Sequence, residues 1–251
     1  MTIIIVGNSH VAALQQGADQ IEGVGQVLKI APFGDGAREY EPFSAVVNGQ
    51  VVFTVEFSAQ ILLKLTGKNS FDPSCTWGIC MGTHNTRVYS LQFWQTAAPS
   101  IIAGPRSRPV SNAVLEEIFA KEQIFRKVFL SQLLETGGKF FIVSAPSPRR
   151  DGSAAIRGVP LATIEKLDRM ARDHFRKWIG ERNIPIVEPP EETMDEQGFL
   201  LDEFAQKTSV FGGPDPHHAN SAYGKIMVQK ILDSAKGFEA TWRANDALSR
   251  Q

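Results

Sequence analysis

The stretch Ile3-Ile4-Ile5-Val6-Gly7-Asn8-Ser9-His10 decides how the rest of the chain is read. Four β-branched residues in a row make a short strand buried on both faces, which is the pattern of a parallel sheet. Gly7 stops the strand, and Val11-Ala12-Ala13-Leu14 opens a helix running toward Ile21. A strand that turns at once into a helix is the first half of a βαβ unit. The polar triplet Asn8-Ser9-His10 therefore stands at the carboxyl end of a strand, where open α/β sheets bind their ligands.

Further along, the same alternation repeats. A second strand is expected over Gln26 to Ala31, ending in the turn residues Pro32-Phe33-Gly34-Asp35-Gly36. Val46 to Phe57 reads as two strands around the hairpin signal Asn48-Gly49. A short apolar run from Trp77 to Met81 stops at Gly82. Helical periodicity predicts one helix over Asn112 to Glu135, then a strand over Lys139 to Ala145. A helix over Leu161 to Arg182, a strand over Ile184 to Val187 and a final helix over Ser221 to Ala235 complete the series. No long Gly/Ser/Pro linker and no repeat interrupts it, so residues 1–251 read as one domain. Residues 46–74 read as an insertion or lid, and 237–251 as a polar, frayed tail.

Composition narrows the function classes. With 26 basic and 27 acidic side chains in 251 residues, the formal net charge is −1. Nucleic-acid binding needs concentrated positive charge, so no nucleic-acid partner is expected. No run of about 18 apolar residues and no signal-peptide pattern is visible, which predicts a cytoplasmic protein without a membrane partner. Cys75 and Cys80 are spaced like no zinc or redox pair and read as small buried hydrophobes. Arg149-Arg150 and Arg106 to Arg108 read as solvated surface, or as a greeting for an anionic substrate. Phe71, Trp77, Phe93 and Trp94 read as core, or as the wall of an acyl or sugar pocket.

Four polar clusters should converge beyond the strand ends: 7–10, Gly34-Asp35-Gly36, Gly82-Thr83-His84-Asn85, and Gly213-Pro214-Asp215-Pro216-His217-His218. The first and last resemble the SGNH/GDSL-like serine hydrolases, which open on a strand followed by Gly-Asp/Asn-Ser and close on Asp-x-x-His before a C-terminal helix. The resemblance runs the length of the chain in order. It implies a three-layer α/β/α sandwich with a mainly parallel central sheet, flavodoxin-like, with esterase or acyltransferase activity and no cofactor. Ser9 would then be the nucleophile, His218 the general base and Asp215 its orienter. His217 is the rival base. The resemblance also implies an oxyanion hole of the Ser9 N–H, a glycine N–H at Gly34 (or Gly36) and a side chain from the third block. That block departs from the usual Gly-x-Asn, so Asn85, slightly favoured, and His84 both stand as donors. An O-acylated saccharide or other small ester is the expected substrate.

Other readings of the same residues are plainer. Ser9 could cap a helix, and Asp215 could favour a helix dipole. The sheet could serve a non-catalytic carbohydrate-binding or assembly module, or a flavodoxin-like nucleotide site. Asp215, His217 and His218 could ligate a metal, as could His10 and His84 if they lie nearby, but adjacent histidines rarely share one metal ion, so no metal is expected.

Overall fold

The computed structural model describes residues 2–34, 36–209 and 212–248; Asp35 of the expected turn and residues 249–251 of the expected tail lie outside them. The chain runs β1 (Ile3–Gly7), α1 (Val11–Ala18), β2 (Leu28–Pro32), β3 (Ser44–Val47), β4 (Gln50–Phe53) and α2 (Glu56–Thr66). Next come β5 (Thr76–Cys80), α3 (Thr86–Tyr89), β6 (Ala97–Pro99), β7 (Arg108–Val110), α4 (Asn112–Glu122) and α5 (Ile124–Glu135). The last elements are β8 (Lys139–Val143), α6 (Ser153–Ile156), α7 (Leu161–Gly180), β9 (Ile186–Val187) and α8 (Ser221–Leu248).

Five strands form the central sheet in the order β2-β1-β5-β8-β9. Every neighbouring pair is parallel. The chain leaves β1 to one side for β2 and returns on the other for β5, so the crevice lies beyond the ends of β1 and β5. Alternation along β1 divides the core in two. Ile3 and Ile5 pack against α1 and α8, with Leu14, Tyr223 and Met227. Ile4 and Val6 face the opposite layer, with Leu62 of α2, Phe129 of α5 and Phe175 of α7. A third cluster around Trp94, Phe119 and Phe199 lies apart from the sheet. The fold is a three-layer α/β/α sandwich.

The hairpin forms at Asn48-Gly49, where both residues take positive φ (51° and 75°), as a two-residue primed turn requires. Segment 46–74 buries Val51, Phe53, Leu62 and Phe71 in the core layer beneath the sheet.

Two expectations about helices are corrected. The stretch 112–135 is two helices, broken at the buried Gln123, whose side chain donates to the Ala171 carbonyl at 2.9 Å. The break lets Leu115 and Phe119 enter the third cluster while Phe129, Leu130 and Leu133 enter the sheet core. The last helix does not stop at Ala235 but continues to Leu248. Trp242 explains the extension: its ring is buried, its indole N–H donates to the Phe140 carbonyl at 3.3 Å, and Phe238 joins it to Phe141. No helix among the described residues is long and apolar enough to cross a membrane.

Candidate active site

The turn after β1 is built by two residues. A Cβ on Gly7 would lie 2.4 Å from the Cys80 carbonyl oxygen and 2.9 Å from Val11, so only glycine lets the strand end close to both β5 and α1. Asn8, fully buried, then holds the turn: its side-chain oxygen accepts from the His10 N–H at 3.1 Å, and its amide donates to Glu39 at 2.5 Å. Glu39 is itself paired with the buried Arg126 at 3.4 Å. Arg126 also donates to the His84 carbonyl at 3.3 Å, which ties the loop after β5 to the turn after β1.

Ser9 does not cap α1; the N-cap is His10, which makes no side-chain cap bond. The Ser9 hydroxyl instead donates to His218 Nε2 at 2.8 Å. His218 Nδ1 donates to the Asp215 carboxylate at 2.9 and 3.0 Å, which leaves Nε2 as the acceptor of the neutral ring. Nor does Asp215 serve a helix start, since Asn220 caps α8 by accepting from the Ala222 and Tyr223 N–H groups at 3.0 and 3.2 Å. Burial raises the Asp215 pKa, but the His217 and His218 N–H groups and the His218 ring outweigh it and hold the carboxyl below its usual range. Asp215 is thus an anion aimed at the His218 ring.

Arg149 holds this loop in place and corrects the expectation of a solvated arginine pair. It is buried, and its Nη1 donates to the carbonyls of Asp215 and Gln206, both at 2.6 Å, while Asp151 takes its other face. Arg150 alone is exposed, paired with Asp195. His217 turns away from Ser9, its Nε2 meeting the Ser153 hydroxyl at 3.0 Å.

The third block separates its two candidates. Asn85 is buried with its amide donating to the Thr83 carbonyl at 3.1 Å. His84 lines a cleft with His10, their rings edge to face at 4.1 Å. Its Nε2 meets the Thr86 hydroxyl at 2.6 Å, which in turn meets the Tyr89 hydroxyl at 3.1 Å. Where the Thr86 hydroxyl donates to Nε2, the His84 proton sits on Nδ1. On the β2 side, Gly34 follows the strand whose Pro32 pairs with Gly7, and Phe33 N–H donates to the Gly7 carbonyl at 2.7 Å. Gly36 opens a short 3₁₀ turn, Gly36–Tyr40, that carries Glu39.

The cleft flanking the Ser9–His218 pair holds about 20 Å³ of open space between His10 and His84 on one side and Ser153 and His217 on the other. Phe71, Trp77 and Trp94 are core residues and Phe93 is exposed, so none of the four aromatics lines it. A larger cavity of about 740 Å³ behind Ser147 and Pro148 is walled by ion pairs, Arg172 with Asp168 and Arg176 with Glu188. Cys80 is buried and Cys75 is half-buried, both as free thiols. No group of three or more His, Cys, Asp or Glu among the described residues is arranged to hold a metal ion.

Glu39 and Arg126 were not among the candidates read from the sequence, whereas His10 and Arg149 were named there in other roles. His10 had a signal, its place next to Ser9 in the strand-ending stretch. Glu39 and Arg126 work through contacts distant in the chain and leave none.

Burial above all, with Arg126 and Arg172 nearby, pushes the His84 imidazole down to about 3. Burial, then His84 and His218, also holds His10 well below its ordinary value. Unfolded imidazoles take up protons near pH 6.5 that these folded rings refuse, so stability is full above about pH 6.5 and falls as pH drops below it. Urea midpoints measured between about pH 7.5 and 4.5 should fall less steeply in His84→Phe than in the parent protein. Parallel curves would contradict this.

Sequence comparison finds no matching protein family and no matching curated protein. Structure comparison finds solved relatives of the whole chain. A GDSL-like lipase from Bacteroides thetaiotaomicron is 11% identical with a TM-score of 0.52, covering 95% of this chain and 88% of that one. A proposed acylhydrolase from Bacteroides fragilis is 9% identical with the same TM-score of 0.52, covering 96% and 88%. The chain therefore has the fold of the SGNH/GDSL-like hydrolases.

Proposed function

We propose that this protein is a serine-dependent ester hydrolase or acyltransferase acting on small O-acyl esters of saccharides. The observation that carries the reading is the continuous line from Ser9 Oγ to His218 Nε2 at 2.8 Å and from His218 Nδ1 to Asp215 at 2.9 Å. Such a line takes the proton from a hydroxyl that is otherwise a poor nucleophile. In the first step Ser9 Oγ bonds to the ester carbonyl carbon and its proton passes to His218. The tetrahedral intermediate collapses, the C–O bond breaks, and the alcohol leaves with that proton. Water, or an acceptor hydroxyl in a transferase, then bonds to the acyl carbon as His218 takes its proton, and that proton passes to Ser9 Oγ as the acyl–Oγ bond breaks. The two free cysteines suit the cytoplasm.

The oxyanion donors in this reading are the N–H groups of Ser9 and Gly34 and the Nδ1–H of His84. Asn85 is set aside because its amide is already engaged by the Thr83 carbonyl. His84→Ala should lower kcat on p-nitrophenyl acetate about 100-fold with a smaller change in KM, and Asn85→Ala should lower it less. A larger loss in Asn85→Ala would return the role to Asn85.

Labelling with a fluorophosphonate probe tests the whole proposal. Stoichiometric modification at Ser9 that falls sharply in His218→Ala supports it. A well-folded parent protein that resists labelling would leave the sheet as a carbohydrate-binding or assembly module.

A further inference from the structure

His10 is a buried polar side chain that the catalytic line does not use. Its ring is 5% exposed, and neither Nδ1 nor Nε2 finds a hydrogen-bonding partner in the protein. The ring lines the cleft, edge to face with His84 at 4.1 Å and 5.1 Å from the His218 ring. A buried imidazole with an unmet donor and an unmet acceptor is uncommon in folded proteins, and a site for a ligand is one place where it persists.

The rest of the cleft says what kind of group would meet it. Ser153 faces inward with His217, and Ser147 bonds only weakly, through its hydroxyl to the Met194 sulfur. Arg149 is the single arginine or lysine among the described residues lining the cleft, and Asp151 and two carbonyls occupy its guanidinium. The cleft thus offers neutral donors and acceptors with no free cation. A carboxylate or phosphate would go uncompensated there. An alkyl chain would leave the imidazole unsatisfied. A hydroxyl is both donor and acceptor, as a neutral imidazole is. Burial and the neighbouring rings keep His10 neutral, in agreement with this match.

We propose that His10 is a specificity-determining residue that hydrogen-bonds a hydroxyl of the bound substrate beside the ester. The protein would then prefer esters of uncharged polyhydroxylated alcohols over esters of plain alkyl or anionic alcohols. This rests on the ester-hydrolase reading of Ser9 and adds to it the group that selects the alcohol.

The test compares kcat/KM on monoacetylated hexoses and pentoses with that on cyclohexyl acetate, which has the ring size but no hydroxyls. The parent protein should favour at least one sugar ester by about tenfold or more, and His10→Phe should erase that preference. His10→Asn, which keeps a donor and an acceptor, should retain part of it. No preference in the parent protein, or equal losses on both ester classes in His10→Phe, would overturn the proposal. Calorimetric titration of Ser9→Ala with the preferred acetylated sugar gives a readout without turnover. Affinity should drop about tenfold when His10→Phe is added; equal affinity, or no measurable binding to Ser9→Ala, would count against His10 as the reader. Fluorophosphonate labelling reports on Ser9 separately, so a failed hydrolase reading is told apart from a failed role for His10.

Discussion

Ser9→Ala is expected to lower kcat/KM on any ester the protein cleaves by about 10⁴-fold or more, with folding intact. The hydroxyl hydrogen-bonds His218 and sits in a turn held by Asn8 and Gly7 rather than by its own side chain. Removing it deletes the nucleophile and leaves only binding and oxyanion stabilisation, a small residue of the whole effect. Asp215→Asn should approach the same loss by letting the ring flip to the wrong tautomer. Circular dichroism of both variants with steady-state rates on p-nitrophenyl acetate decides the point. A loss below about tenfold in folded Ser9→Ala would mean that another group attacks the ester.

The second large effect is expected far from the cleft. α1 and α8 cross at Gly17 and Gly224, where a Cβ on Gly224 would lie 1.7 Å from the Ala13 carbonyl oxygen, and one on Gly17 would lie 2.2 Å from Gly224 backbone. Both obstacles are main chain, so no side chain can move aside. Gly224→Val should remove about 3 kcal/mol or more of stability, a large share of what a domain commonly has. It should also lower the activity of the molecules that remain folded. α1 begins two residues after Ser9 and α8 three residues after His218, so prising the helices apart separates nucleophile from base. A displacement near 1 Å at such a pair can lose about 100-fold in rate. Urea unfolding and the activity of the folded fraction measure the two consequences. A variant within about 0.5 kcal/mol of the parent protein would show that the helices have room to spare.

The glycines were legible after the fact. Glycine within a helix is about 1 kcal/mol less favourable than alanine, so Gly17 in α1 and Gly224 in α8 signal close approach, though not which helix meets which, and a Cβ on Gly237 in α8 would meet nothing within 4 Å. The strand ends were readable because burial on both faces writes itself as a run such as Ile3 to Val6 ended by glycine. The break at Gln123 was not. Helical periodicity runs through it, and the kink answers two separate cores that meet only in three dimensions. The length of α8 hid for a similar reason. Its last turns look polar, and a single Trp242 reaching the Phe140 carbonyl supplies the anchor.

By itself the sequence determined the alternation of strands and helices and which polar clusters end the strands. Those are local properties, set by side-chain periodicity and by glycine at the stops. Tertiary structure alone decided which of two neighbours faces inward: His218 toward Ser9 with His217 toward Ser153, and His84 toward the cleft with Asn85 toward the Thr83 carbonyl. Adjacent residues in a loop share nearly the same chain position, so no spacing rule separates them. Their directions follow from where the backbone is pinned, by Arg149 on the Asp215 carbonyl and by Arg126 on the His84 carbonyl, and both pins come from more than 40 residues away.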